Sequence, residues 1–65
     1  MDFFWTTQKL ANPCVRNVRT FRFLGDAIKS LENGTGVVYH YTFRYGWELG
    51  YAVYFKNGKP QDFVS

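Results

Sequence analysis

The chain reads as a small α+β domain: an antiparallel sheet of about four to five strands, in the order β-β-α-β-β-β along the chain, with one helix packed on one face. Three features predict this. Leu24, Ala27, Ile28 and Leu31 recur at i, i+3, i+4 and i+7, the apolar stripe of a helix. From Val37 to Tyr45 aromatic and polar residues alternate, the period of a strand. Asn57-Gly58, after the strand run Tyr51 to Lys56, marks the next hairpin.

Taken in order, Phe3 to Gln8 reads as a strand and Asn12-Pro13 as a turn. Val15 to Phe23 is rich in β-branched and aromatic residues, so it is expected to be a second strand that brings Phe21 and Phe23 into the core. The helix covers Gly25 to Asn33. Asp26 supplies an acidic or capping group in its first turn, and Asn33-Gly34 supplies the left-handed stop. Val37 to Tyr45 and Tyr51 to Lys56 then pair across the loop Gly46-Trp47-Glu48-Leu49-Gly50. That sets Phe43 opposite Val53 and Tyr41 opposite Phe55, with the odd-numbered residues of both strands facing the core. A two-residue turn at Asn57-Gly58 would put Asp62 opposite Val53 on the core face. The expected connection is therefore Lys56-Asn57-Gly58, which keeps Phe63 on the side of Tyr51 and Val53. Pro60 marks the last strand as an edge.

Composition narrows the function classes. The chain has 65 residues, 46% hydrophobic, with seven Phe, five Tyr and two Trp. That length accommodates one domain, residues 1–65, and that aromatic content is foreign to disordered chains. A domain this small has little interior for a deep, dry pocket. The single cysteine, Cys14, forms no internal disulfide, which points to a reducing cytoplasm. No apolar run approaches the roughly 20 residues of a membrane span. The opening Met1-Asp2-Phe3-Phe4-Trp5 runs from acidic to apolar and then polar. It is read as part of the fold rather than as a secretory signal.

The inventory for catalysis is thin. His40, the single histidine, is expected on the less apolar face of its strand with Thr42, Arg44 and Lys56. Cationic neighbours there disfavour both a bound metal and an imidazolium. Cys14 follows Pro13 in a turn with Arg16 nearby but no partner base. Asp2, Asp26, Glu32, Glu48 and Asp62 are scattered, without the spacing of an acid–base pair or a cation cage. Gly34-Thr35-Gly36 precedes a strand, not a helix, so it is no phosphate loop. No catalytic residue, metal or cofactor is expected.

Aromatic surplus carries more information. Leu24, Ala27, Ile28, Leu31, Phe21, Phe23, Val37, Tyr39, Tyr41, Phe43, Val53, Phe55 and Phe63 fill the core that one helix and one sheet enclose. Phe3, Phe4, Trp5, Tyr45, Trp47, Tyr51 and Tyr54 supply the remainder, some against the sheet edge and some at the surface. Trp47, in a glycine-flanked loop, together with Tyr45 and Tyr54, has the character of interface anchors. Arg16, Arg19 and Arg22 form a basic ladder near Lys9, which Arg44 and Lys56 extend. Basic residues mixed with rings are also the chemistry of single-strand platforms, although no aromatic-Gly RNA-binding spacing is present.

With its helix Leu24-Gly25-Asp26-Ala27-Ile28-Lys29-Ser30-Leu31 and its closing hairpin Tyr51 to Phe63 turning at Lys56-Asn57-Gly58-Lys59, the layout resembles the small inhibitor proteins that phages and mobile elements encode, such as anti-CRISPR proteins and inhibitors of host enzymes. The resemblance implies action in the host cytoplasm by occupying the surface of a larger enzyme. Many such inhibitors are acidic DNA mimics. A formal charge of +3 instead favours an acidic or nucleic-acid-bound target. The leading expectation is a non-enzymatic protein-binding module that modulates a larger protein or nucleoprotein, with Trp47, Tyr45 and Tyr54 as anchors and Arg16, Arg19, Arg22 and Arg44 orienting it. The alternative is a small basic nucleic-acid-binding protein using the same sheet face. A homodimer that buries the surplus rings is compatible with either.

Overall fold

Four strands join into one antiparallel sheet in the computed structural model, which describes residues 2–9 and 19–64. In chain order they are β1 (Phe3–Thr6), β2 (Gly36–Phe43), β3 (Trp47–Lys56) and β4 (Lys59–Phe63), and their order in the sheet is the same. Among the described residues between β1 and β2 lie one helix, α1 (Leu24–Lys29), and a 3₁₀ turn, Glu32–Gly34. The architecture is therefore small α+β, with four strands among the described residues.

A fifth strand was expected over Val15 to Phe23. Its first part, with the Asn12-Pro13 turn, Cys14 and Arg16, lies outside the described residues. Of the rest, Phe21 alone pairs. Its N–H donates to the Trp5 carbonyl at 2.8 Å and its carbonyl accepts from the Trp5 N–H at 2.9 Å. Phe23 already occupies the N-cap position of α1, so the chain leaves the sheet after one bridge. Asp26 sits in the first turn but caps nothing. The helix is also shorter than its apolar stripe. The Ser30 hydroxyl donates to the Ala27 carbonyl at 2.7 Å, and Leu31 turns extended (φ −76°, ψ 146°). Asn33 and Gly34 then take the left-handed conformation anticipated for the stop.

The β2–β3 register departs most from expectation. Phe43 pairs with Trp47, so the connection is Arg44-Tyr45-Gly46, and Trp47 and Leu49 belong to β3. A bulge at Gly50 separates the Tyr41–Leu49 pair from the His40–Tyr51 pair. One extra residue reverses the side-chain phase of a strand. Trp47 and Leu49 therefore share a face with Ala52 and Tyr54, while Tyr51, Val53 and Phe55 point to the opposite one. Glycine suits the bulge, since a Cβ on Gly50 would lie 3.2 Å from His40 Nδ1 and 3.3 Å from the His40 carbonyl.

A second bulge, at Gln61, corrects the final hairpin. The turn has two residues, Asn57 (φ 53°) and Gly58 (φ 79°), where three were expected. Asp62 would then face the core, but the bulge restores the phase and places Phe63 opposite Val53. Phe63 thus reaches the expected face by another device, and Pro60 lies in an edge strand as anticipated.

The helix packs on the even-numbered side of β2, not on the tyrosine side. Ala27 (0% exposed), Val38 (2%) and Phe55 form the centre, with Trp5, Phe21, Ile28, Leu31 and Val53 around them. On the outer face Phe4 and Tyr41 are buried, their rings stacked at 5.5 Å, and Trp47 meets Phe4 edge-on at 4.8 Å. Phe23, Phe43 and Phe63, expected in the core, are exposed. Phe4 and Trp5 take their places because β1, rather than a second N-terminal strand, lies beside β2. Among the described residues no helix is long and apolar enough to cross a membrane.

Candidate binding surfaces

Four of the anticipated surface residues fall on the outer face or at its end, but in two separate places. Arg44 and Tyr45 form the β2–β3 turn, where Tyr45 is fully exposed. Tyr54 (36% exposed) lies on the outer face of β3, beside Val37 on β2 and Asp62 on β4. Trp47 shares that face but is not the exposed loop residue expected. It is half-buried, edge-on to Phe4 and to Phe43 at 5.2 Å. The early start of β3 draws the indole back over the sheet.

The arginine ladder is not a strand ladder. Arg16 lies outside the described residues. Arg19 and Arg22 are exposed on either side of Phe21, beyond the β1 edge. The Arg19 guanidinium rests over the Phe21 ring, 5.1 Å from its centre, beside Asp26, Lys29 and Ser30 of the helix segment. That location is separate from Tyr54 and from the β2–β3 turn.

A second surface escaped the sequence reading. Between α1 and β4 runs an open groove of about 760 Å³, lined by Leu24, Ile28, Tyr51, Val53, Pro60 and Phe63, among others. Phe63 is 72% exposed and meets Tyr51 edge-on at 6.1 Å. The Pro60 signal and the Leu24 end of the helix stripe were both legible. The addition of Phe63 to them depended on the Gln61 bulge, which no pattern announced. The adjoining edge is poorly suited to adding a strand. Pro60 has no N–H, and the Phe63 N–H already donates to Asp62 Oδ1 at 2.8 Å. Gln61 Nε2 donates to the carbonyls of Lys59 (3.1 Å) and Pro60 (3.4 Å). Natural edge strands are blunted by such means.

His40 also lies elsewhere than expected. Lys56 is on the outer face and Arg44 is in the turn. His40 points to the helix side, stacked on Tyr51 at 4.6 Å, with Trp5 at 4.9 Å and Phe3 at 5.5 Å. Its Nδ1 and the Trp5 Nε1 are buried and have no hydrogen-bond partner among the described residues. Loss of hydration on burial pushes the imidazole pKa below its ordinary value of 6.5. Among the described residues no three His, Cys, Asp or Glu side chains gather as metal ligands would.

No protein family matches this chain, and no curated protein or solved structure matches it either. The arrangement itself offers two chemically distinct surfaces: an apolar groove beside the helix, and an outer face with rings and cations at its two ends.

Proposed function

We propose that this chain is a non-enzymatic binding module that docks on a larger protein in the cytoplasm and modulates it by occupying its surface, as the small inhibitor proteins it resembles do. The groove between α1 and β4 carries the reading. Phe63, Tyr51 and Leu24 are large apolar side chains that line the groove and are held in contact with solvent. Clustered exposed rings of this kind are characteristic of interface hot spots. The blunted β4 edge favours side-chain docking in the groove over pairing by strand addition.

Phe63→Ser tests it. Phe63 is mostly solvated, so the variant should keep the parent's melting temperature. It should also lose at least tenfold in affinity for a protein captured by the parent from nuclease-treated lysate, a hot-spot effect. Equal capture by both proteins, or a captured species that disappears with nuclease, would refute docking through the groove. Size-exclusion chromatography of parent and variant addresses the homodimer: a dimer dispersed by Phe63→Ser would mean that the groove is filled by a second copy.

A further inference from the structure

We infer that the outer face of the β3–β4 hairpin binds the phosphate backbone of a single-stranded nucleic acid through Lys56 and Lys59, with the Tyr54 ring as a stacking surface beside them. This surface is distinct from the groove and does not depend on it. Lys56 and Lys59 are directly paired across the hairpin, so both side chains leave the same face. Like charges directly opposite one another destabilise a sheet. Among the described residues no carboxylate lies within ion-pair distance of either ammonium. The nearest acid by register is Asp62, opposite Tyr54, and its Oδ1 accepts from the Phe63 N–H. The fold thus keeps an unneutralised cationic pair that an anion would relieve.

The pair is also held in place. The Asn57 N–H donates to Thr35 Oγ1 at 3.2 Å and the Gly58 N–H to the Gly34 carbonyl at 2.9 Å, which fastens the turn to the 3₁₀ segment. Tyr54 lies two residues before Lys56 on the same face, so an exposed ring stands about 7 Å from the lysine position. A ring beside paired cations matches a base beside its phosphate, which an acidic peptide lacks. At the far end of β3, about 30 Å away at the rise of a strand, Arg44 and Tyr45 repeat the combination of cation and ring. Both ends of β3 therefore lie within reach of one short single strand.

Fluorescence anisotropy with a labelled ten-nucleotide thymidine strand tests this, using the matching duplex and poly-glutamate as competitors. Three phosphate contacts, from Lys56, Lys59 and Arg44, give a log–log salt slope near −2, or roughly a 20-fold loss of affinity from 50 to 200 mM salt. The double variant Lys56→Gln/Lys59→Gln should flatten the slope to about −0.7 and melt no lower than the parent. Tyr54→Ser should weaken binding about tenfold with the slope unchanged. Absence of binding, preference for the duplex, competition by poly-glutamate as strong as by unlabelled strand, or a double variant with the parental slope would each overturn the inference.

Discussion

Replacing Gly34 by alanine probes the contact on which the hairpin geometry rests. Gly34 has φ +67°, and a Cβ there would stand 2.6 Å from the Gly58 nitrogen, 3.1 Å from the Gly58 Cα and 3.2 Å from the Asn57 carbonyl carbon. All three are backbone atoms, so no side chain can swing aside. Alanine in the left-handed region costs about 1–2 kcal/mol. Pushing the turn away also breaks the Gly58–Gly34 hydrogen bond, worth about 1 kcal/mol. The sum is about 2–3 kcal/mol, against a total stability of about 3–10 kcal/mol for a domain of this length. At about 4–8 °C per kcal/mol for small domains, Gly34→Ala should melt some 10–25 °C below the parent. Gly25→Ala is the control: it lies in α1 with nothing within 4 Å of the added methyl, and it should be neutral or stabilising by up to about 1 kcal/mol. Both are measured by thermal melts followed by circular dichroism. Indistinguishable melting of the two variants would mean that the β3–β4 turn is not seated on the 3₁₀ segment.

Other expectations concern the aromatic shell and the helix. Folding holds the His40 pKa below 6.5, so the unfolded chain binds the extra proton; the stabilisation is present above pH 6.5 and disappears as pH falls through the lower folded value. The fall in melting temperature between pH 7.5 and 5 should therefore be smaller in His40→Phe than in the parent, and an equal fall would remove His40 as its source. Trp47→Ala should cost about 2–3 kcal/mol, below the range for a fully buried tryptophan because the indole is half-exposed; partner binding should decline only with the folded fraction, and a stable variant that no longer binds would return Trp47 to the interface. Ile28→Ala should cost about 2 kcal/mol, the low end for isoleucine truncation, because the side chain is partly buried at the groove. Unchanged melting would show that the helix stripe does not press on Val38 and Phe55.

Period and punctuation in the chain disclose the helix stripe, the C-terminal hairpins and the Pro60 edge. They disclose less about phase. The alternation of Val37 to Tyr45 is genuine, yet it does not say which of two partly aromatic faces meets the helix. That choice falls to Val38 and Phe55, which fit beneath Ala27 more closely than tyrosine rings with hydroxyls to solvate. Gly46 and Gly50 both resemble loop ends in sequence. Only the crowding of Gly50 against His40 distinguishes the bulge from the turn.

The same single-residue insertions explain why the candidate surfaces were partly legible. Arg44, Tyr45, Trp47 and Tyr54 share one hairpin, so local alternation assigned them to it even in the wrong register, although Tyr54 lies at the end opposite the turn. Arg19 and Arg22 were separated from them by the early entry into α1, a tertiary outcome with no local signal. The groove required Phe63 on the helix side despite a two-residue turn, and the Gln61 bulge supplied it. That bulge, with Pro60 and the Asp62 carboxylate on the Phe63 N–H, also makes β4 a poor template for another strand. One edge of the sheet is thus blunted, and rings are exposed on both of its faces. The groove offers apolar surface and the outer face offers charge, so the two can be separated by salt: binding in the groove should persist where binding at Lys56 and Lys59 fades.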